Sequence, residues 1–181
     1  CGLFGDMGII SFNGNKIIST GGGGVIITNN EKNASKARHL STTAKIYHPW
    51  EYDHDQIGWN DRLPNINAAL GVAQIESLPI YLQSKRDLAS KYHQWGNEKG
   101  VQFVIEPKDT KSNYWLNSIV LKDKIQRDKF LEDTNSKGVM TRPIWTLMNK
   151  LPMFKNAECD QLRNSEWLDK RVVNIPSSTT L

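Results

Sequence analysis

Lys16 stands alone between two apolar, β-type runs, Gly8 to Phe12 and Val25 to Thr28, with Ser11, Asn13 and Asn15 just before it and Gly21, Gly22, Gly23 and Gly24 just after. A lysine on a short link between buried strands is partly desolvated, which disfavours its ammonium form and leaves a nucleophilic amine. Such an amine forms a Schiff base with an aldehyde-bearing cofactor. The hydroxyl and amide side chains offer the hydrogen bonds a phosphate requires, and successive glycines let backbone approach a flat ligand with no Cβ in the way. The same residues also suit a β-hairpin whose loop carries an ordinary solvated lysine, with glycines serving turn geometry.

A second group of chemically able residues lies further along. Residues 41–63 show no periodicity and concentrate Tyr47, His48, Pro49, Trp50, Tyr52, His54 and Trp59. Ordered loops of this length are often functional. His54 is a candidate base, although the sequence pairs it with nothing, and for any single residue a surface loop pinned by aromatic packing is the simpler account. Asn60 and Arg62 stand just before a helix expected to start near Pro64, where unpaired N–H groups and the helix dipole favour anions. A salt bridge from Arg62 to Asp61 or Asp55 is the competing reading.

These residues need elements to hold them. Strands are expected at 8–12 and 25–28, and a helix from Glu31 to Leu40 that turns Ala34, Ala37 and Leu40 inward. Phe4 is expected in the core. The helix from Asn65 to Leu78 is expected to bury Ile66, Ala69, Leu70, Ala73 and Ile75, while Ala68, Ala69, Gly71 and Ala73 permit close packing. Pro79 is expected to break or kink it, and a second helix runs from Ile80 to Lys99 with Gly100 as its stop. Beyond it come strands at 101–106 and 114–121, a helix at 125–136, a strand at 139–142 bounded by Pro143, a helix at 158–170 burying Leu162, Trp167 and Leu168, and a last strand from Val172. The best domain boundary falls at residues 83–85.

Composition narrows the class. The chain has 181 residues, 38% of them hydrophobic, and no apolar run approaches a membrane span. Cys1 and Cys159 are too few for a disulfide framework and point to a reducing compartment. No Cys/His cluster has metal-ligand spacing, so no metal is expected. A net charge of +4 admits nucleic acid or an anionic small molecule as partner. Because Lys and Arg are dispersed among acids, nucleic acid is not expected. With no charged-then-apolar leader, the expectation is a soluble, cytoplasmic protein.

The run Ser11-Phe12-x-x-x-Lys16 followed by Thr20-Gly21-x-Gly23-Gly24 resembles the cofactor-lysine segment of the DegT/DnrJ/EryC1/StrS sugar aminotransferases, which use pyridoxal 5'-phosphate. Two further segments fit. Gly58 to Gln74 is similar to the family's Gly-Tyr-Asn-Tyr-Arg turn and Ala-Ala-(Ile/Leu)-Gly-x-x-Gln helix, with Trp59 and Asp61 replacing tyrosines, and Asn174 to Ser178 resembles a late family motif. Within the family the chain looks closest to the branch acting on 4-keto nucleotide sugars in bacillosamine- and legionaminic-acid-type pathways.

The resemblance implies an α/β fold of the aspartate aminotransferase-like type (fold type I). Residues 1–83 would be the C-terminal part of a large cofactor-binding domain, and residues 84–181 a small, truncated α+β domain. It implies that Lys16 carries the cofactor and moves the proton, that Ser11 and a neighbouring subunit's Asn60 hold the phosphate, and that glutamate donates nitrogen to a keto nucleotide sugar in cell-surface glycan synthesis. Arg62, His54, Arg142 and Trp145 are the substrate-side candidates, Arg142 for a phosphate and Trp145 for a sugar or base, with a core position as the alternative for Trp145. A homodimer with its active site at the subunit interface is implied. So is a further half of the chain before Cys1, without which this segment is expected to be inactive. A sugar dehydratase on the same fold is the alternative enzyme; there, a histidine replaces the lysine. A non-catalytic binding module is the alternative outside enzymes.

Overall fold

A computed structural model describes residues 2–179; Cys1 lies outside them. The chain divides into two compact units, Cys1–Pro79 and Ile80–Leu181.

The first unit is built on an antiparallel hairpin, β1 (Gly8–Ser11) and β2 (Gly24–Ile27), in the register Gly8 to Ile27 and Ser11 to Gly24. It is a two-stranded ribbon, and its strands are not buried as expected: Ile9 is 72% and Ile26 49% exposed. Phe4 likewise faces solvent rather than a core. Helix α1 (Glu31–Ser41) starts where Asn30 accepts from the Asn33 amide at 3.2 Å. It buries no residue fully: of the face expected inward, Ala37 and Leu40 are half-buried and Ala34 is exposed.

Residues 42–60 are not a formless loop. They fold back on themselves through the bridges Thr42 to Asn60 and Lys45 to His54, around a fully buried Ala44. Gly58 is needed there, because a Cβ on it would lie 2.5 Å from the backbone of Thr43 and Ala44.

Helix α2 (Asn65–Lys99) is continuous, and Pro79 does not break it. Proline removes one i to i−4 hydrogen bond, here the one that would reach Ile75. Both residues are exposed, so solvent can satisfy the freed carbonyl. The expected apolar stripe is turned outward as well: Ile66 is 86% and Ile75 54% exposed.

In the second unit the strands β3 (Gln102–Phe103), β4 (Asn117–Val120), β5 (Arg142–Pro143) and β6 (Val172–Ile175) form an antiparallel sheet in the order β3-β4-β6-β5. Ala89, Ile119, Val172 and Val173 form its core. Helix α3 (Lys124–Ser136) is capped by Asp123, which accepts from the Gln126 amide at 2.9 Å.

The strand expected at 139–142 pairs only at Arg142–Pro143, with the preceding Thr141 carbonyl taken by Asn135 Nδ2. Three more elements are shorter or displaced relative to the sequence expectation, each for a local reason. After Val104 the chain leaves the sheet because Glu106 turns to bind Arg86 and the Ser112 amide. Tyr114, at φ 44°, delays β4 until Asn117. Leu162, also at φ 44° and donating to Asp160, delays helix α4 to Arg163–Asp169, where Trp167 and Leu168 remain partly exposed. Among the described residues no helix is long and apolar enough to cross a membrane.

Candidate active site

The neck of the β1–β2 loop is closed by two backbone bonds, Phe12 N–H to the Gly23 carbonyl and Thr20 N–H to the Phe12 carbonyl, each 3.0 Å. Inside it, a tight turn brings the Lys16 amide to the Asn13 carbonyl at 3.0 Å. Ser11 Oγ accepts from the Asn13 amide at 3.3 Å, at the mouth of that turn. Asn13 and Asn15 are exposed, whereas Lys16 is half-buried.

The far arm of the loop is fixed more firmly. Ser19 Oγ donates to the Phe12 carbonyl at 3.1 Å and accepts from the Gly21 amide at 2.9 Å. The Thr20 hydroxyl donates to the Gly22 carbonyl, and Thr20 is 2% exposed. From α2, Asn67 Nδ2 donates to the Thr20 carbonyl at 2.6 Å and Gln74 Oε1 accepts from the Ser19 amide at 3.2 Å.

The glycines then open a cradle. Gly21 and Gly23 sit at φ 81° and 89°, a region that L side chains rarely adopt. A Cβ on Gly23 would come within 2.8 Å of Leu63 Cδ1, and one on Gly24 within 2.6 Å of the Ile10 carbonyl, while one on Gly22 would meet nothing within 4 Å. Alongside lies a cleft of about 540 Å³ walled by Gly22, Gly23, Gly24, Asn60, Asp61, Arg62, Leu63, Pro64 and Asn67.

The structure therefore brings Asn60 and Arg62 to the glycine cradle. It places Lys16 and Ser11 on the other arm of the same loop, outside the lining of that cleft. One loop thus carries a half-buried amine and a hydroxyl on one arm and a glycine run on the other, residue types that suit a group bearing both an aldehyde and a phosphate.

His54 is placed elsewhere. It is exposed on the 42–60 fold-back, with Nδ1 2.7 Å from the Thr43 carbonyl. Asp55 does not pair with Arg62; it meets His39 Nε2 at 2.6 Å, and that hydrogen bond holds the Asp55 carboxyl below the usual range. The sequence reading missed this pair, because only the fold-back brings two residues sixteen positions apart together.

Arg142 and Trp145 belong to the second unit. Both are exposed, so Trp145 is no core residue; it stacks on Trp115 with ring centroids 6.2 Å apart. Arg142 Nη2 lies 3.4 Å from Met140 Sδ. Two structural supports of that unit escape the sequence reading. Arg86 holds Glu106 through two bonds of 3.0 and 2.8 Å and donates to the Ser112 carbonyl at 2.6 Å. The guanidinium, helped by the Ser112 amide, lowers the Glu106 carboxyl to about 2. Lys85, 7% exposed, is pushed below its usual value by burial.

Against known proteins, the sequence matches the DegT/DnrJ/EryC1/StrS aminotransferase family over residues 1–181. It is 35% identical to EpsN of Bacillus subtilis (strain 168), named as a pyridoxal phosphate-dependent aminotransferase, over 99% of this chain and 47% of EpsN. It is 34% identical to GDP-perosamine synthase of Escherichia coli O157:H7, over 99% of this chain and 49% of that protein. The chain thus spans about half the length of the relatives it matches. Among solved structures, the aminotransferase TlmJ from Streptoalloteichus hindustanus superposes with a TM-score of 0.92 at 23% identity, over 100% of this chain and 49% of TlmJ. An E. coli GDP-4-keto-6-deoxy-D-mannose-3-dehydratase with bound hydrated pyridoxal phosphate superposes at 0.80 with 22% identity, over 98% of this chain and 51% of that one. The fold is that of the fold type I transferases, and the family depends on pyridoxal phosphate, which the dehydratase structure holds.

Proposed function

Because the chain belongs to the DegT/DnrJ/EryC1/StrS aminotransferase family, we propose that it carries the lysine-bearing half of a nucleotide-sugar aminotransferase. This enzyme would be cytoplasmic and homodimeric, moving an amino group from glutamate to a keto nucleotide sugar in glycan synthesis. The observation that supports it most is the half-buried Lys16 on a loop whose other arm carries four glycines, two of them at positive φ.

Pyridoxal phosphate, when bound, supplies an aldehyde for the lysine amine and an electron sink for the substrate carbon. Lys16 would hold it through its amine and, as a base, would take and return the proton of the reacting carbon. Ser11 and a neighbouring subunit's Asn60 would hold its phosphate. Arg62 meets the substrate's phosphates. Arg142 and Trp145 are substrate-side residues, one for a phosphate and one for a sugar or base. His54 is a weaker substrate contact, since its ring is already bonded to Thr43.

The dehydratase among the neighbours marks the second reading. Lys16 favours the aminotransferase, because the family resemblance puts a histidine at this position in the dehydratase branch. The deciding experiment is borohydride reduction of the complete polypeptide with pyridoxal phosphate, followed by peptide mapping. The expected result is a label on Lys16. A label on another lysine moves the site, and no label at all turns the chain into a binding module.

A further inference from the structure

We propose that Asn67 and Gln74 are positioning residues for Lys16: from one face of α2 they clasp the loop three and four residues beyond the lysine and so set where its amine is presented. The inference rests on the reading of Lys16 given above, but its support is separate. Positions 67, 71 and 74 fall on a single helical face. Asn67 donates to the Thr20 carbonyl at 2.6 Å and Gln74 accepts from the Ser19 amide at 3.2 Å. Between them is Gly71, where a Cβ would stand 3.0 Å from Thr20 Cγ2. A polar, a side-chain-free and a second polar position thus meet two consecutive loop residues.

The clasp matters because of what Ser19 and Thr20 hold in turn. Ser19 Oγ and the Thr20 amide both bond the Phe12 carbonyl, closing the loop neck from which the Lys16 turn projects. Thr20 also fixes the start of the glycine cradle through its bond to the Gly22 carbonyl. Loosening the α2 contacts therefore frees the lysine turn and the cradle together, while β1 and β2 keep their register.

Three variants of the complete polypeptide separate this from a general packing role. Gln74→Glu keeps an oxygen to accept from Ser19, Gln74→Leu removes it, and Asn67→Asp removes the donor to Thr20 while adding an acid in the first turn of α2, where it favours the helix. Two readouts are taken: affinity for pyridoxal phosphate by absorbance titration, and amide hydrogen exchange of residues 16–22 without the cofactor. The expectation is about tenfold weaker cofactor binding for Gln74→Leu and Asn67→Asp, the scale of one lost hydrogen bond that leaves a partner unsatisfied. Faster exchange over 16–22 should accompany it, with Gln74→Glu within about twofold of the parent on the same ground.

Parent-like affinity and exchange in both Gln74→Leu and Asn67→Asp overturns the proposal. If Gln74→Leu does not fold, the cofactor-free exchange of residues 16–22 in Asn67→Asp decides alone, because the new carboxylate also borders the cleft and repels a phosphate. Should the parent place no borohydride label on Lys16, the functional reading fails, and the exchange data still decide whether the clasp holds the loop.

Discussion

The ammonium of Lys85 donates to the main-chain carbonyl of Ser177 at 2.5 Å, joining the second half of α2 to the segment that follows β6. It also reaches the Trp115 carbonyl at 3.3 Å. Ser177 in turn accepts from the Asn117 amide at 2.7 Å and donates to the Ile175 carbonyl at 2.7 Å. One buried cation therefore ties the entry of β4 to the exit of β6.

Removing it should expose that dependence. Lys85→Met is expected to lower stability by about 1–3 kcal/mol, the cost of leaving a buried carbonyl without a donor, measured as the shift in a urea unfolding curve. The pH dependence carries a definite sign. Burial depresses the folded-state value below 10.5, so between that depressed value and 10.5 the unfolded chain binds more protons, and stability from this group rises with pH. The parent should gain on Lys85→Met over that alkaline window. A constant difference between the two would contradict it.

The Arg86–Glu106 pair gives a slope of the same sign on the acid side. Glu106 is lowered from 4.5 to about 2, so its contribution is fully present above 4.5 and disappears as pH falls towards 2. Glu106→Gln should flatten the acid limb of the stability curve between those limits and leave the neutral region's slope unchanged. An unaltered acid limb would mean that the pair is solvated and idle.

Neighbouring glycines of the cradle should respond unequally to alanine. Gly23→Ala forces a side chain into the left-handed region, costing about 1–2 kcal/mol, and presses on Leu63. Gly22→Ala meets open space and should be tolerated in stability. Both can be read by thermal unfolding, with cofactor retention as a second measure. Equal losses at the two positions would indicate that the backbone conformation at Gly23 is not what matters.

Since the chain spans about half of its relatives, these 181 residues purified alone are expected not to transaminate. Turnover of a keto nucleotide sugar with glutamate by that preparation would overturn the expectation.

How much of this was legible in the sequence depended on distance along the chain. The lysine turn, the glycine run and the spans of α1 and α3 are local, and their residue types announce them. The burying face of α2 was misread because apolar spacing points to Ile66 and Ile75, while the face that meets the loop is Asn67, Gly71 and Gln74. Backbone groups in a loop need amides and empty space rather than hydrocarbon, and a search for apolar periodicity does not register that. The pair of His39 with Asp55 and the stack of Trp115 on Trp145 were out of reach for a different reason. The first requires the 42–60 fold-back and the second the left-handed Tyr114, neither of which has a residue-type signature.

The ribbon of β1 and β2 has a practical side. Among the described residues, neither outer edge has a ladder partner, and Ile9 and Ile26 face solvent. Unpaired edges with apolar side chains invite foreign strands and identical copies alike. Handling should therefore be governed by self-association: clear dilute solutions, growing light scattering with concentration, and relief on replacing Ile26 by lysine, a charge that makes strand-to-strand pairing unfavourable.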